Sequence, residues 1–339
     1  MVDYKFYSLE ELVAIILREI REEGERKINE DVCKVVLGRP VFFSEIKEND
    51  KLAEDRLRKA AEIAGFKEVY FQYEPVAAAL FYQQTLFENE EKIVLVGDFG
   101  GGTSDFTVIK VHGGNLAKNI NREKDVLSVG GIYIGGDIFD SNIMWEKLAK
   151  HFGRFVKIKA VMGNFWQDMP ALVINKIRNW HQIPFLKTPE IEDELRSIRH
   201  RADQKQLVRN LQNLIEDNYG YILFKSIEKA KIELSTSDKT SIIFEEYNLK
   251  VNEEITRLEF EDEIIADEIQ KLSNCVDKAV KDAGISFNTV DIVFLTGGSS
   301  NIPVIKKIFE KKFGKDKIRQ IDAFTSVAYG LGMSGNMYI

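Results

Sequence analysis

The chain has 339 residues, 44% hydrophobic and 30% charged, with a formal net charge of −7. This length suggests two lobes at about 150 residues each, and the hydrophobic content excludes bulk disorder. The acidic balance argues against nucleic acid as a partner, no apolar run reaches the ~20 residues that cross a membrane, and two cysteines and four histidines show neither a disulfide framework nor zinc spacing.

Read from the N-terminus, Ser8 and Glu11 have capping-box spacing. Leu9, Leu12, Val13, Ile16, Leu17 and Ile20 then recur at helical intervals, which predicts a helix with one apolar stripe that stops near Gly24. Val32–Leu37 reads as a buried strand closed by Gly38-Arg39-Pro40. A helix over Asp50–Ala64, a short strand at Val69–Phe71 and a helix opened by Pro75 follow.

Beyond a polar joint, Ile93–Val96 is the clearest strand. It runs into Gly97-Asp98-Phe99 and three glycines, and Phe106–Val111 returns as its hairpin partner. A turn at Gly113-Gly114-Asn115 and a third strand over Asp125–Val129 come next, then a helix over 137–152. From 151 to 225 the polar composition with helically spaced leucines predicts a mostly helical insertion. A helix over 220–235, strands at 241–244 and 247–250, and one long helix over Glu261–Ala283 follow. The pattern closes with a strand over Asp291–Leu295, a helix from Pro303 to Phe313, a strand over Ile318–Ile321 and a small-residue helix over Ser326–Gly332.

The segment that carries most chemistry is Asp98-Phe99-Gly100-Gly101-Gly102-Thr103-Ser104-Asp105. A strand delivers a carboxylate to its end, glycines leave backbone N–H groups bare for phosphate oxygens, and a second carboxylate starts the return strand. Two such carboxylates beside phosphates suit a hydrated magnesium ion. A plain glycine-rich hairpin is the bland alternative, but three successive glycines exceed what a turn needs. Leu295-Thr296-Gly297-Gly298-Ser299-Ser300-Asn301 ahead of Pro303 is a second glycine turn feeding a helix, suited to ribose and phosphate and weak in isolation. Glu74 at a strand-to-helix corner can orient a water, although an acid at a helix N-terminus is common. Glu228, Lys231 and Ser235 share one helical face, which alone reads as an exposed ion pair. Gly135-Gly136-Asp137 is a further glycine turn before a helix, ordinary by itself.

Taken together, DFGGGTSD, YEPVAAAL, GGDIFD, EKAKIELS and LTGGSSNIP occur in the order found in the seventy-kilodalton heat-shock family, the DnaK-type chaperones, which are actin-like ATPases. The resemblance covers essentially the whole chain. Gly38-Arg39-Pro40-Val41 and the helical insertion are most similar to the YegD branch of chaperone homologues. The resemblance implies an α/β actin-like (ribonuclease H-like) fold of two lobes, with ATP/ADP and Mg as cofactors. Asp98 and Asp105 are then the magnesium-shell residues, acting through water. Gly100, Gly101, Gly102 and Thr103 meet the β- and γ-phosphates, and Glu74 positions water or the metal shell. Gly297, Gly298, Ser299 and Asn301 line ribose and adenine, with Glu228, Lys231 and Ser235 closing the adenosine pocket opposite. Catalytic roles fall to Asp98, Asp105, Thr103 and Glu74.

The same comparison exposes departures. The family's first phosphate loop, of the type G-I-D-x-G-T-T, and its early lysine have no counterpart here, so lobe I is expected to be incomplete. On the resemblance no substrate-binding domain is expected after Ile339, the family's arginine that stacks on adenine is Asn301, and an expected aspartate is Phe324. The expectation is weak nucleotide binding with impaired hydrolysis, since phosphoryl transfer depends on positioned charge. A homodimer covering the exposed sheet edge is a corollary. The expected division is 1–88 with 322–339 as inner lobe I, 89–134 with 269–321 as inner lobe II, and 135–268 as an outer, mostly helical subdomain. Expected partners are nucleotide, client protein and co-chaperone, with no nucleic acid and no membrane, in the cytoplasm. Two other readings are a non-enzymatic scaffold that uses the insertion and, with no sugar-binding signature behind it, a small-molecule kinase.

Overall fold

The computed structural model describes residues 6–40, 43–44, 46–83, 86–87, 90–113, 125–320 and 323–335. Helix α1 (Leu9–Ile28) opens on the expected box: Ser8 Oγ accepts the Glu11 amide at 3.2 Å, and Glu11 Oε2 accepts the Ser8 amide at 2.7 Å. The helix passes through Gly24 and ends only at Asn29, whose φ is 55°. A glycine within a helix costs about 1 kcal/mol, which does not stop one already carried by capping and ion pairs. Most of the apolar stripe is uncovered: only Ala14 of α1 is buried, while Leu9, Leu12, Ile16 and Ile20 are exposed. The helix packs on α2 (Lys47–Ala64) through Val13, Ala14 and Leu17 against Ala60, Ala61 and Ala64. Alanines draw the two helices close along that narrow strip and leave the rest of the stripe uncovered.

Between these helices runs β1 (Lys34–Arg39), which pairs in parallel with β2 (Glu68–Tyr73), from Lys34 opposite Glu68 to Arg39 opposite Tyr73. Gly65, at φ 104°, ends α2 and turns the chain into β2. Helix α3 (Glu74–Gln83) follows β2 without a gap, so Glu74 stands at the corner where strand becomes helix.

The main sheet holds five strands. β3 (Glu91–Phe99) and β4 (Ser104–His112) form an antiparallel hairpin in which Asp98 faces Asp105. β5 (Val126–Ile132) pairs with β4, and the turn expected at Gly114-Asn115 lies outside the described residues. β10 (Ile292–Thr296) joins β3 in parallel, β11 (Ile318–Gln320) joins β10, and the order is β11-β10-β3-β4-β5. Phe99, Phe106 and Phe309 pack beneath the hairpin, with Phe99 edge-on to both partners at 5.7 and 5.9 Å.

After β5 the helix expected over 137–152 is α4 (Gly136–Ile143), a π turn (Met144–Leu148) and a 3-10 turn (Ala149–Phe152). Residues four apart drift about 40° around an α-helix at each step. A wider turn cancels that drift and keeps Phe139, Ile143, Leu148 and Phe152 all buried. The 151–225 segment is not helix alone. It holds a hairpin, β6 (Lys157–Lys159) with β7 (Trp166–Asp168), before α5 (Ala171–Ile174), α6 (Pro189–Arg201) and α7 (Lys205–Glu216). Helix α8 (Gly220–Glu233) leads to a hairpin of β8 (Lys239–Glu246) and β9 (Leu249–Thr256).

The single helix expected over 261–283 is broken. α9 (Arg257–Glu259) widens into a π turn over Phe260–Ile264, Ile265 leaves helical geometry at ψ 10°, and α10 (Ala266–Asp282) starts afresh. The break lies beside buried Glu261, whose Oε1 accepts the Val304 amide at 3.0 Å near the start of α11 (Pro303–Phe313). Helix α12 (Ala323–Ser334) packs on α3 so closely that the Gly330 α-carbon rests on the Ala77 backbone.

Candidate functional site

Three glycine turns converge beside the ends of β3 and β10. In the first, the Gly100 amide donates to the Thr103 carbonyl at 2.9 Å and closes the loop between β3 and β4. The second, Gly135-Gly136 ahead of α4, is bonded to the first: the Gly136 amide donates to Gly100 O at 3.1 Å and the Asp137 amide to Gly101 O at 2.8 Å. A Cβ on Gly135 would stand 2.7 Å from the Gly100 carbonyl oxygen, so only a bare α-carbon permits this contact. The third, Gly297-Gly298 after β10, has Gly297 at φ 83° with its α-carbon against the Phe99 carbonyl.

A cavity of about 580 Å³ lies where these turns meet. Its walls include Glu74, Asp98, Gly100, Gly101, Glu228, Lys231, Ser235, Gly297, Gly298 and Ser299, ten residues singled out in the sequence and drawn from four separate stretches. A second cavity, of about 440 Å³, lies on the other side of the carboxylates and takes Thr103 and Asp105 together with Glu74 and Asp98. Gly102 and Asn301 line neither cavity; both are exposed. The Asn301 amide group bonds to Gly298 O at 3.1 Å within its own turn.

Asp98, Asp105 and Glu74 form an acidic centre with no cation bonded to it among the described residues. Burial raises the Glu74 carboxyl above its ordinary range, and the charges of Asp98 and Asp105 raise it further. Burial and then Asp105 do the same to Asp98. Asp105 is raised by burial, against a 2.9 Å bond from the Thr103 hydroxyl that favours its ionised form. Three neighbouring acids that repel one another call for a cation. Among the described residues no group of three or more His, Cys, Asp or Glu is arranged to hold a metal directly. Two carboxylates opposite each other across the β3–β4 hairpin are a donor set that would suit a magnesium ion keeping its water shell.

On the opposite wall the helical face of α8 differs from a simple Glu–Lys pair. Glu228 pairs with Lys225 at 2.8 Å at the surface. Lys231 is buried and reaches across to α4, donating to Asp140 Oδ2 at 2.8 Å and Gly136 O at 3.1 Å. Sequence reasoning missed Asp140 as a partner of Lys231, because nothing in either stretch shows that α4 and α8 touch. It also missed the aliphatic lining supplied by Ile232, Ile302, Val327 and Leu331. A signal existed for Gly131 and Gly135, glycines placed one strand or one turn away from an acid, but many glycines share that description.

A family model described as "Hsp70 protein" matches residues 1–164 and 200–338. Residues 165–199, which include β7, α5 and the first part of α6, fall outside that match. The chain is 27% identical over 341 residues to the chaperone protein DnaK of Thermus thermophilus, covering 98% of this chain and 44% of that protein. It is 27% identical over 345 residues to that of Deinococcus proteolyticus, covering 99% and 43%. To that of Methanothermobacter thermautotrophicus it is 26% identical over 340 residues, covering 98% and 45%. The chain thus spans less than half the length of the curated relatives it matches.

Proposed function

We propose, from the premise that this chain belongs to the Hsp70 family and has its actin-like ATPase fold, that it is an adenine-nucleotide module working with magnesium. One observation carries the reading: three glycine turns far apart in sequence, two of them bonded to each other, open onto one cavity beside three half-buried carboxylates. In this reading the phosphates lie along Gly100–Thr103, where backbone N–H groups donate to their oxygens and the hydroxyl of Thr103 is held by Asp105. Bound magnesium would supply charge neutralisation for both the acids and the phosphates. Asp98 and Asp105 hold its shell, Glu74 fixes a water, and Lys231, Glu228 and Ser235 form the wall opposite Gly297–Ser299. Gly102 and Asn301 are assigned supporting places at the loop edges.

Hydrolysis by the chain alone is proposed to be weak. Among the described residues no lysine or arginine contributes to the charge environment of Glu74, Asp98 or Asp105, and phosphoryl transfer depends on preorganised positive charge. The finer identity, a YegD-like member that engages client proteins or a co-chaperone in the cytoplasm, is proposed on the resemblance of its motifs. The division at 88/89, 134/135, 268/269 and 321/322 into two inner lobes and an outer subdomain is proposed likewise. Self-association is supported by the row of exposed Leu9, Leu12, Ile16 and Ile20 on α1. One observation favours the non-enzymatic scaffold as a second reading: Val161, Met162 and Leu172 stand exposed on and beside the β6–β7 hairpin.

Isothermal titration of the full chain with ADP, with and without magnesium, tests the main reading. The expected result is micromolar or weaker binding that needs magnesium, with slow ATP turnover. Heat-silent titrations in both conditions, with a folded protein, would refute it.

A further inference from the structure

We infer that Asp140 is a positioning residue of the nucleotide site, holding the Lys231 ammonium on the first turn of α4 and so tying the adenosine wall to the phosphate loop. The inference rests on the nucleotide reading above and names the device that joins the two halves of the pocket.

The connection can be followed bond by bond. Gly100 and Gly101 present their carbonyls to the amides of Gly136 and Asp137, so the phosphate loop is fastened to the start of α4. The Gly136 carbonyl and the Asp140 carboxylate, one turn apart on the same helix, both accept from Lys231 Nζ. Lys231 itself belongs to α8, which carries Glu228 and leads to Ser235, so one ammonium joins the helix of one wall to the loop of the other. The fit is tight, since a Cβ on Gly136 would lie 3.1 Å from Lys231 Nζ and 3.3 Å from Ser299 Oγ. Residues of all three turns and this lysine therefore meet around Gly136.

The pair is nearly dry. Lys231 and Asp140 are 9% and 8% exposed. Asp140 Oδ2 is committed to the lysine, and Oδ1 is buried with no partner among the described residues. Loss of the carboxylate charge leaves the ammonium held by a backbone carbonyl alone, which lets α8 and α4 part. Several charges face Asp140: Lys231 and Glu228 from α8, Lys225 one turn earlier on α8, and Asp137 from its own helix. His181, from the 3-10 turn over Trp180–Leu186, lines the same small cavity as Asp140. Burial outweighs the attraction of Lys231 and pushes the Asp140 carboxyl up to about 6, so the link is weakened by mild acid.

The test compares Asp140→Asn with the wild-type chain in binding of ADP with magnesium at pH 7.5, 6.5, 5.5 and 5. A ratio of dissociation constants cancels the titration of Asp98, Asp105 and Glu74, which both proteins share. The expected ratio is about 10 at pH 7.5, the equivalent of one charged hydrogen bond, falling towards 1 by pH 5. Lys231→Met is expected to weaken binding to a similar degree, and the double variant to be no weaker than Lys231→Met alone. Thermal unfolding of each variant confirms that it is folded, and Asp140→Glu is a further variant if Asp140→Asn is not. A ratio of 1 at pH 7.5, or one that does not change with pH, overturns the inference and leaves the nucleotide reading standing. No binding by the wild-type chain at pH 7.5 overturns both.

Discussion

Gly131 lies directly opposite Asp105 across the β4–β5 ladder, and a Cβ on Gly131 would sit 2.5 Å from Asp105 Oδ1. The carboxylate folds over the bare α-carbon, so a glycine one strand away sets where the acid can stand. Gly131→Ala is expected to displace Asp105 and to weaken magnesium-dependent ADP binding about tenfold, with a loss of stability of about 1–3 kcal/mol. Titration calorimetry with and without magnesium reads the first effect. Unchanged magnesium dependence would show that the Asp105 position is immaterial.

Asp98 closes β3 and faces Asp105 across the hairpin. Asp98→Asn keeps the shape and removes one charge. Turnover of ATP is expected to fall by ~10² or more, while the chain stays folded, because a carboxylate that would hold the magnesium shell beside the reacting phosphate is lost. A steady-state phosphate-release assay decides the matter. Turnover equal to wild type would favour the scaffold reading.

The acidic centre has a pH signature. Glu74, Asp98 and Asp105 are raised in the folded chain by burial first, and Glu74 and Asp98 also by neighbouring acids. The folded state therefore binds their protons more tightly than the unfolded chain does. Their stabilising contribution is full below the ordinary carboxylate range and is lost as pH rises through the raised values. In metal-free buffer, Asp105→Asn should gain stability relative to wild type at pH 7.5 and lose that advantage at pH 4. Magnesium should shrink the gap at pH 7.5. Melting curves at the two pH values, with EDTA or magnesium, measure both differences, and a gap that widens in acid would contradict the assignment.

Arg39 is buried at the end of β1, where it binds Asp50 with Nη2 at 3.0 and 3.1 Å and Glu54 with Nη1. Its guanidinium also lies 4.9 and 5.5 Å from the rings of Phe43 and Tyr73. Arg39→Ala should cost about 2–3 kcal/mol, because at a half-dry site Asp50 loses its cation and Glu54 keeps only Arg58, at 3.5 Å. Arg39→Lys should recover only part, since an ammonium has no planar fork. Urea unfolding gives both values; equal stability of the lysine variant and wild type would count against the fork.

Leu12→Ser with Ile16→Ser removes two exposed apolar groups from α1. Stability is expected to stay within about 0.5 kcal/mol, as for other surface changes. Self-association at tens of micromolar, read by sedimentation velocity, should disappear. A wild-type chain that sediments as a monomer throughout would remove the proposed dimer.

The elements themselves were legible from local rules. The Ser8–Glu11 box, the Pro75 and Pro303 helix starts, the hairpin through Gly100–Gly102 and the glycine stop at Gly65 depend on spacing and turn chemistry within a few residues. The acids and glycines of the cavity were legible for the same reason, as strand ends followed by bare backbone. Packing decided the rest. Which side of α1 would be buried depended on where the alanines of α2 came to lie, and the wide turns after α4 and at Phe260–Ile264 answer to neighbours distant in sequence. The partner of Lys231 was likewise beyond local reasoning. The lysine has Glu228 one turn behind it on its own helix, yet it bonds a carboxylate 91 residues away, because burial leaves that carboxylate as its accepting side chain. Local pattern names the groups a chain can bring to a site; the fold chooses which of them lose water together, and that choice sets their charges.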